Sequence, residues 1–238
     1  RTLVVVKKGA TTGFEIKKNQ YAKPQTVFHL TGTTNDTLLY LLEKHSPEMI
    51  QMIKEGEIKA NQKINKESLL NPKIIENKFH IRLDVPSDFE YAVQKPRFIW
   101  LKKEIVSGSM SLLLYQVPLN TIKTKNPIAS IIRMRDSIGK LYIKGGEAQT
   151  PMITGEGYAP YLFKIKLDNR PTFESKGTWE LKNDFMSGPF INYVIFDKEY
   201  NRIMVLEGFC YSPADEKRDV MFELESIIKS VQIIKRRK

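Results

Sequence analysis

Residues 190–211 read FINYVIFDKEYNRIMVLEGFCY. Two apolar runs, Phe190 to Phe196 and Arg202 to Tyr211, flank Asp197-Lys198-Glu199-Tyr200-Asn201, a loop of hairpin length in which Asn201 suits a left-handed position. The spacing predicts an antiparallel β-hairpin. Along its second arm Glu207 shares a face with Ile203, Val205 and Phe209, so strict alternation buries a carboxylate that must be paired, hydrogen-bonded or raised in pKa.

The pattern continues on both sides. Upstream, Thr178 to Lys182 forms a strand with Trp179 and Leu181 on one face, and Asp184 and Gly188 build the turn that leads into the hairpin. Further back, Tyr161, Phe163, Ile165 and Leu167 alternate with Lys164, Lys166 and Asp168, which predicts one buried and one wet face. Downstream, Ser212-Pro213 is placed to cap a last helix, with Asp215 and Glu216 in its first turn and Met221, Leu224, Ile228 and Val231 toward the core. Asn126-Pro127 caps an earlier helix with Ile128, Ile131, Ile132 and Ile138 on one face and Arg133, Arg135 and Asp136 elsewhere on it. Before that helix, Arg97 to Leu101 and Met110 to Val117 read as strands, and Phe79, Ile81 and Leu83 as a third. Tight hairpins and alternating faces together predict an α+β fold, an antiparallel sheet packed with helices.

The first part differs in character. A β-branched run, Thr2 to Val6, and Thr26 to Leu30 read as strands separated by a polar stretch, Gly9 to Lys23. Asn35 or Asp36 caps a helix, Ser46-Pro47 starts another, and an apolar stripe through Ile50, Ile53, Ile58 and Ile64 ends near residue 66. Asn71-Pro72-Lys73 to Lys78 is the expected hinge. The chain thus divides into a smaller α/β region, 1–76, with long amphipathic helices, and an antiparallel-sheet domain, 77–238.

With 238 residues and 41% hydrophobic content the chain can bury a core without a staple. One cysteine, Cys210, excludes an internal disulfide, and the histidines at 29, 45 and 80 lack metal-ligand spacing. No metal or cofactor is expected. The net charge of +11 attracts anions non-specifically, and the terminal run Lys235 to Lys238 reads as a solvated tail; no motif of a nucleic-acid-binding fold accompanies the charge. No phosphate-cradling loop, nucleophile elbow or dinucleotide fingerprint is present, so no catalytic residue is assigned. The candidate ligand-binding side chains are Glu207, Trp179, Asp184, Arg135 and Asp136. For Glu207 the alternatives are an acid/base carboxylate in a pocket and an ion pair with Arg133, Arg135 or Lys182.

The segments Trp179-x4-Asp184-x-Met186-x-Gly188-Pro189-Phe190, Glu207-Gly208-Phe209-x-Tyr211-x-Pro213 and Lys217-Arg218-x2-Met221-x2-Leu224-Glu225 resemble a family of lipoproteins of unknown function from Bacteroidetes. Arg135-Asp136-Ser137 and the opening strand are similar too. The resemblance implies a cell-envelope protein, periplasmic or on the outer membrane, held by a lipid anchor upstream of Arg1, and it carries no activity. The order of elements in the second part also resembles the α/β/α sandwich of the photosynthetic PsbP subunit and of a Ran-binding import factor. The expected role is a non-enzymatic binding or assembly module for an envelope protein or a small ligand. Two alternatives are a hydrolase-like enzyme using Glu207 with Asp184 and Arg135, and binding of glycan, phospholipid or nucleic acid through distributed positive charge.

Overall fold

The computed structural model describes residues 1–123, 125–145 and 150–236. Arg237 and Lys238 of the basic tail lie outside them. The chain forms two compact units, Arg1–Asn61 and Gln62–Lys238, a division that falls earlier than 76/77.

In the first unit, β1 (Thr2–Lys8), β2 (Gly13–Lys18) and β3 (Thr26–Gly32) form a sheet in the order β1-β3-β2. β1 pairs in parallel with β3, and β2 antiparallel to it. β2 lies within the stretch that reads as a polar connection, because only Phe14 and Ile16 mark its apolar face. Those two side chains, with Phe28 and Leu30 of β3, pack against Leu41 and Met49 of α1 (Asn35–Asn65). The helix is capped by Thr34 rather than by Asn35 or Asp36: Thr37 N donates to Thr34 Oγ1 at 3.2 Å and Thr34 N to Thr37 Oγ1 at 2.9 Å. It also runs unbroken through Pro47, where a new start is expected. Proline removes the N–H that would reach the Glu43 carbonyl, at a cost of about 3 kcal/mol in a helix interior. The Ser46 hydroxyl donates to that same carbonyl at 3.2 Å and replaces the missing bond.

The second unit has α2 (Lys73–Phe79), β4 (Ile81–Arg82), β5 (Glu90–Lys95), β6 (Phe98–Ile105), β7 (Gly108–Val117), α3 (Pro127–Tyr142), β8 (Lys144–Gly145), β9 (Thr150–Thr154), β10 (Tyr161–Leu167), β11 (Arg170–Leu181), β12 (Ser187–Asp197), β13 (Arg202–Tyr211), α4 (Arg218–Ile228) and β14 (Gln232–Ile233). The sheet order is β5-β6-β7-β13-β12-β11-β9-β8, with β10 also on β11, and β14 pairs separately with β4. Every pairing here is antiparallel. The hairpin of β12 and β13 sits at the centre, with Asn201 at φ 50° in its turn.

Alternation along β13 sends Met204 and Leu206 to one face, where Ile75 and Phe79 of α2 and Leu224, Ile227 and Ile228 of α4 cover them. Ile203, Val205 and Phe209 go to the other face, under Ile131 and Met134 of α3. The result is α+β, with helices on both sides of one antiparallel sheet. At Gly208 a Cβ would lie 2.9 Å from the Leu224 Cβ, and the β12–β13 and β13–β7 registers continue unshifted past it, so the glycine admits α4 rather than forming a bulge.

Further expectations change in the second unit. The segment expected as a hinge is largely α2, whose Ile75 and Phe79 are core residues, and His80 ends it in the left-handed conformation with its N–H on Glu76 O. Phe79 is therefore helical, and the strand after it is only two residues long. In β10, Leu167 is buried, but Tyr161 and Phe163 remain exposed, because this edge strand pairs only with β11. The last helix begins at Arg218, not after Ser212: the buried Ser212 hydroxyl is spent on Ser107 Oγ at 2.8 Å, tying the end of β13 to the β6–β7 turn.

Candidate functional site

Helix α3 begins as the sequence predicts, with Asn126 Oδ1 accepting from Ala129 N at 3.2 Å. Its buried face is Ser130, Ile131, Met134, Arg135 and Gly139. Arg135 therefore belongs to the core stripe rather than off it. At Gly139 any Cβ would lie 2.0 Å from the Met152 carbonyl oxygen, so glycine lets α3 press onto β9 and brings Arg135 and Asp136 to Thr154.

Alternation along β13 carries Glu207 to the same face, and the two charges meet in a fork. Arg135 Nε donates to Glu207 Oε2 at 2.9 Å and Nη2 to Oε1 at 2.7 Å, with both side chains 1% exposed. Asn192 Nδ2 donates a third bond to Oε2 at 2.7 Å from the neighbouring strand. The remaining guanidinium nitrogen, Nη1, reaches Thr154 Oγ1 at 2.5 Å, and the Arg135 carbon Cζ stands 3.4 Å from the Phe190 ring centroid. Thr154 passes the chain on, donating from both N and Oγ1 to Asp136 Oδ1 at 2.8 Å. Tyr115 is buried in the same enclosure. Burial, then the Glu207 charge, push its hydroxyl well above the ordinary tyrosine range against the opposing pull of Arg135.

Asp136 and Thr154 form the outer end of this chain, in a cleft of about 480 Å³ whose walls include Ile132, Ile153, Tyr158 and Lys182. Three of the five candidates, Arg135, Asp136 and Glu207, thus converge. Trp179 and Asp184 do not join them. Trp179 is a core residue, its Nε1 donating to the Cys210 carbonyl at 3.1 Å and its ring meeting Phe209 edge-on. Asp184 caps the exposed β11–β12 turn, accepting from Met186 N at 3.3 Å. The Glu207–Asp184 combination of the hydrolase alternative is not assembled. Cys210 itself is fully enclosed in β13, and burial pushes its thiol up to about 11.

Two partners escaped the sequence reading. Asn192 was legible: counting back from the hairpin loop sets it opposite Glu207, the register the structure shows. Thr154 was not, since its strand is five residues long and meets α3 only through the Gly139 approach.

A second ionic cluster lies on the other face, against α4. Lys176 reaches Glu174 at 3.0 Å and Glu225 at 3.2 Å, and Lys229 reaches Glu225 at 2.7 Å. Burial by itself raises the Glu225 carboxyl, but the bonds and charges of Lys229 and Lys176 outweigh it and leave it below the usual range. For Lys176 burial acts downward, and Glu225 and Glu174 outweigh it, so the ammonium sits above its ordinary value. Among the described residues no three His, Cys, Asp or Glu side chains are grouped to hold a metal ion, and no helix is long and apolar enough to cross a membrane.

The second unit is a helix-covered antiparallel sheet with a buried Arg–Glu fork. Residues 68–230 match the family described as a domain of unknown function (DUF4837), and the chain belongs to that family. Residues 1–66 match a further domain of unknown function (DUF8532). No curated protein matches the sequence. Among solved structures the chain is similar to the Ran-binding protein Mog1p of Saccharomyces cerevisiae, with a TM-score of 0.44 and 8% identity, covering 66% of this chain and 91% of that one. It is also similar to LpqN, involved in cell envelope biogenesis of Mycobacterium tuberculosis, with a TM-score of 0.37 and 11% identity, covering 65% of this chain and 83% of that one.

Proposed function

We propose that the protein is a non-enzymatic binding module of the cell envelope, taking a protein segment or small ligand in the cleft at Asp136 and Thr154. The Arg135–Glu207 fork carries this reading. The carboxylate best suited by sequence to acid/base work accepts three hydrogen bonds at 1% exposure and is not among the residues lining the cleft, so its role is to hold Arg135 and, through it, Thr154 of the cleft wall. What the cleft offers is acceptor carboxylates on Asp136 and Glu156, the Lys182 cation and apolar walls from Ile132 and Ile153, a mixture that suits recognition. Envelope placement and an acylated anchor upstream of Arg1 rest on the motif resemblance alone.

The test is made in cells expressing the protein from its own gene with a photo-crosslinking residue in place of Tyr158, followed by fractionation and labelled-palmitate incorporation. The expected result is a labelled protein in the membrane fraction that forms a discrete adduct, lost when Asp136 is changed to Ala. An unlabelled protein in the soluble fraction would remove the anchor, and adduct formation indifferent to Asp136 would remove the cleft.

A further inference from the structure

A second cleft, of about 370 Å³, lies at the other end of β13, where β6 and β13 begin and β7 ends. Its wall carries Lys78, His80, Arg97 and Arg202 with the amides of Gln116 and Asn201 and, among the described residues, no carboxylate. Arg202 is already answered: buried, it donates from Nε to Asp197 Oδ2 at 2.9 Å, from Nη2 to the Phe79 carbonyl at 2.5 Å and from Nη1 to Gln116 Oε1 at 2.8 Å. That last bond fixes the Gln116 side chain by its oxygen and leaves its NH2 as a donor. Lys78 spends one donor on the Lys95 carbonyl at 2.8 Å and keeps two. The exposed Arg97 guanidinium has no side-chain partner among the described residues. Tyr200 packs the floor, with His80 stacked on it at 4.9 Å and Arg202 over its ring at 4.8 Å.

Two cations, Lys78 and Arg97, therefore face one small cavity with no anion among the described residues to neutralise them, beside the amides of Asn201 and of Gln116, the latter held by buried Arg202. We propose that this cleft binds a phosphate group, Lys78 and Arg97 closing on its oxygens while Gln116 and Asn201 supply neutral donors. A guanidinium and an ammonium with additional N–H groups match an anion of several oxygens better than a single carboxylate. The volume is near the lower end of ligand sites, about 300–1,000 Å³, so the group is borne by a small head rather than by a dinucleotide. The same chemistry occurs on a free phosphomonoester and on a phospholipid headgroup. This cleft lies apart from the Asp136 cleft, and its failure would leave that reading standing.

The experiment titrates the full chain, isotopically labelled, with inorganic phosphate and with glycerol phosphate at fixed ionic strength, and separately with vesicles of phosphatidylcholine containing phosphatidic acid. Saturable NMR shifts confined to residues 78–80, 97, 116–118 and 200–202 are expected, weakened about tenfold by Arg97→Ala and again by Lys78→Ala, in line with the loss of one charge-assisted bond each. Because Arg97 is exposed, Arg97→Ala should melt with the parent; Lys78 is half-buried and also holds the Lys95 carbonyl, so Lys78→Ala should melt slightly lower, and a thermal scan checks that it is still folded. Saturation by the soluble phosphates assigns a free ligand, and binding only to the vesicles, lost in Arg97→Ala, assigns the headgroup. Shifts spread over surface lysines without saturation, or affinity indifferent to both substitutions, would overturn the proposal.

Discussion

The two faces of the central sheet carry two ionic clusters, an arginine with a glutamate on one and lysines with glutamates on the other, and they differ in what surrounds them. Under α3, Arg135 and Glu207 form one planar fork with both side chains 1% exposed, held further by the neutral Asn192 amide and the Phe190 ring. Under α4, Glu225 shares its charge with Lys176 and Lys229, which are 36% and 28% exposed at the side chain. Glu225 is itself nearly enclosed, but its lysines reach water, so the loss of one rung is partly made good by solvent and the remaining lysine. An enclosed pair has no such substitute, so either partner alone becomes a buried charge.

The sharpest way to break the comparison is Arg135→Met, which strands Glu207. It should cost about 3–5 kcal/mol in urea unfolding. Arg135→Met with Glu207→Leu should recover most of that loss, because the pair's own contribution is small beside the penalty of leaving one charge alone. A double variant as unstable as the single would show that the fork sets the fold rather than filling it.

Glu225→Gln on the opposite face should cost about 1 kcal/mol or less at neutral pH. Its pH dependence sharpens the contrast. The folded carboxyl lies below its ordinary value of 4.5, so its contribution is present above that value and is lost as pH falls through the lower folded one; Glu225→Gln should flatten the parent's loss of stability in that acid window. Lys176 lies above its ordinary 10.5, so its contribution holds below that pH and is lost as pH rises through the raised value, a loss that Lys176→Met should remove. Denaturant titrations at stepped pH check both signs.

The smallest effect belongs to the edge of the fork. Asp136→Asn keeps an acceptor oxygen for Thr154 N and Oγ1 and should shift stability by no more than about 0.5 kcal/mol, while changing the charge presented in the cleft. A loss comparable to that of Arg135→Met would merge Asp136 into the structural lock.

How much of this the sequence carried depends on which contacts are local. The β12–β13 hairpin, the Asn126 cap and the burial of Glu207 follow from period and turn chemistry within about twenty residues. Whether Glu207 was an acid or a partner did not, because Arg135 lies 72 positions away and its approach depends on Gly139 meeting the Met152 carbonyl. Pro47 and Ser212 misled for a shared reason. Each is a good terminus signal in isolation, and each was overridden by a bond that local pattern does not show, Ser46 to the Glu43 carbonyl and Ser212 to Ser107.

Cys210 gives the molecule a built-in clock. It is the sole thiol of the chain, sits in the central strand beneath the Trp179 indole bond to its own carbonyl, and is held as the unreactive protonated form by a pKa of about 11. A thiol reagent can modify it only when that strand opens, so the labelling rate in native buffer reads the opening equilibrium of the sheet's interior without denaturant or an introduced probe. Arg135→Met should speed that rate far more than Glu225→Gln, in the order of their effects on stability. The asymmetry between the two faces would then appear as two timescales from one sulfur atom.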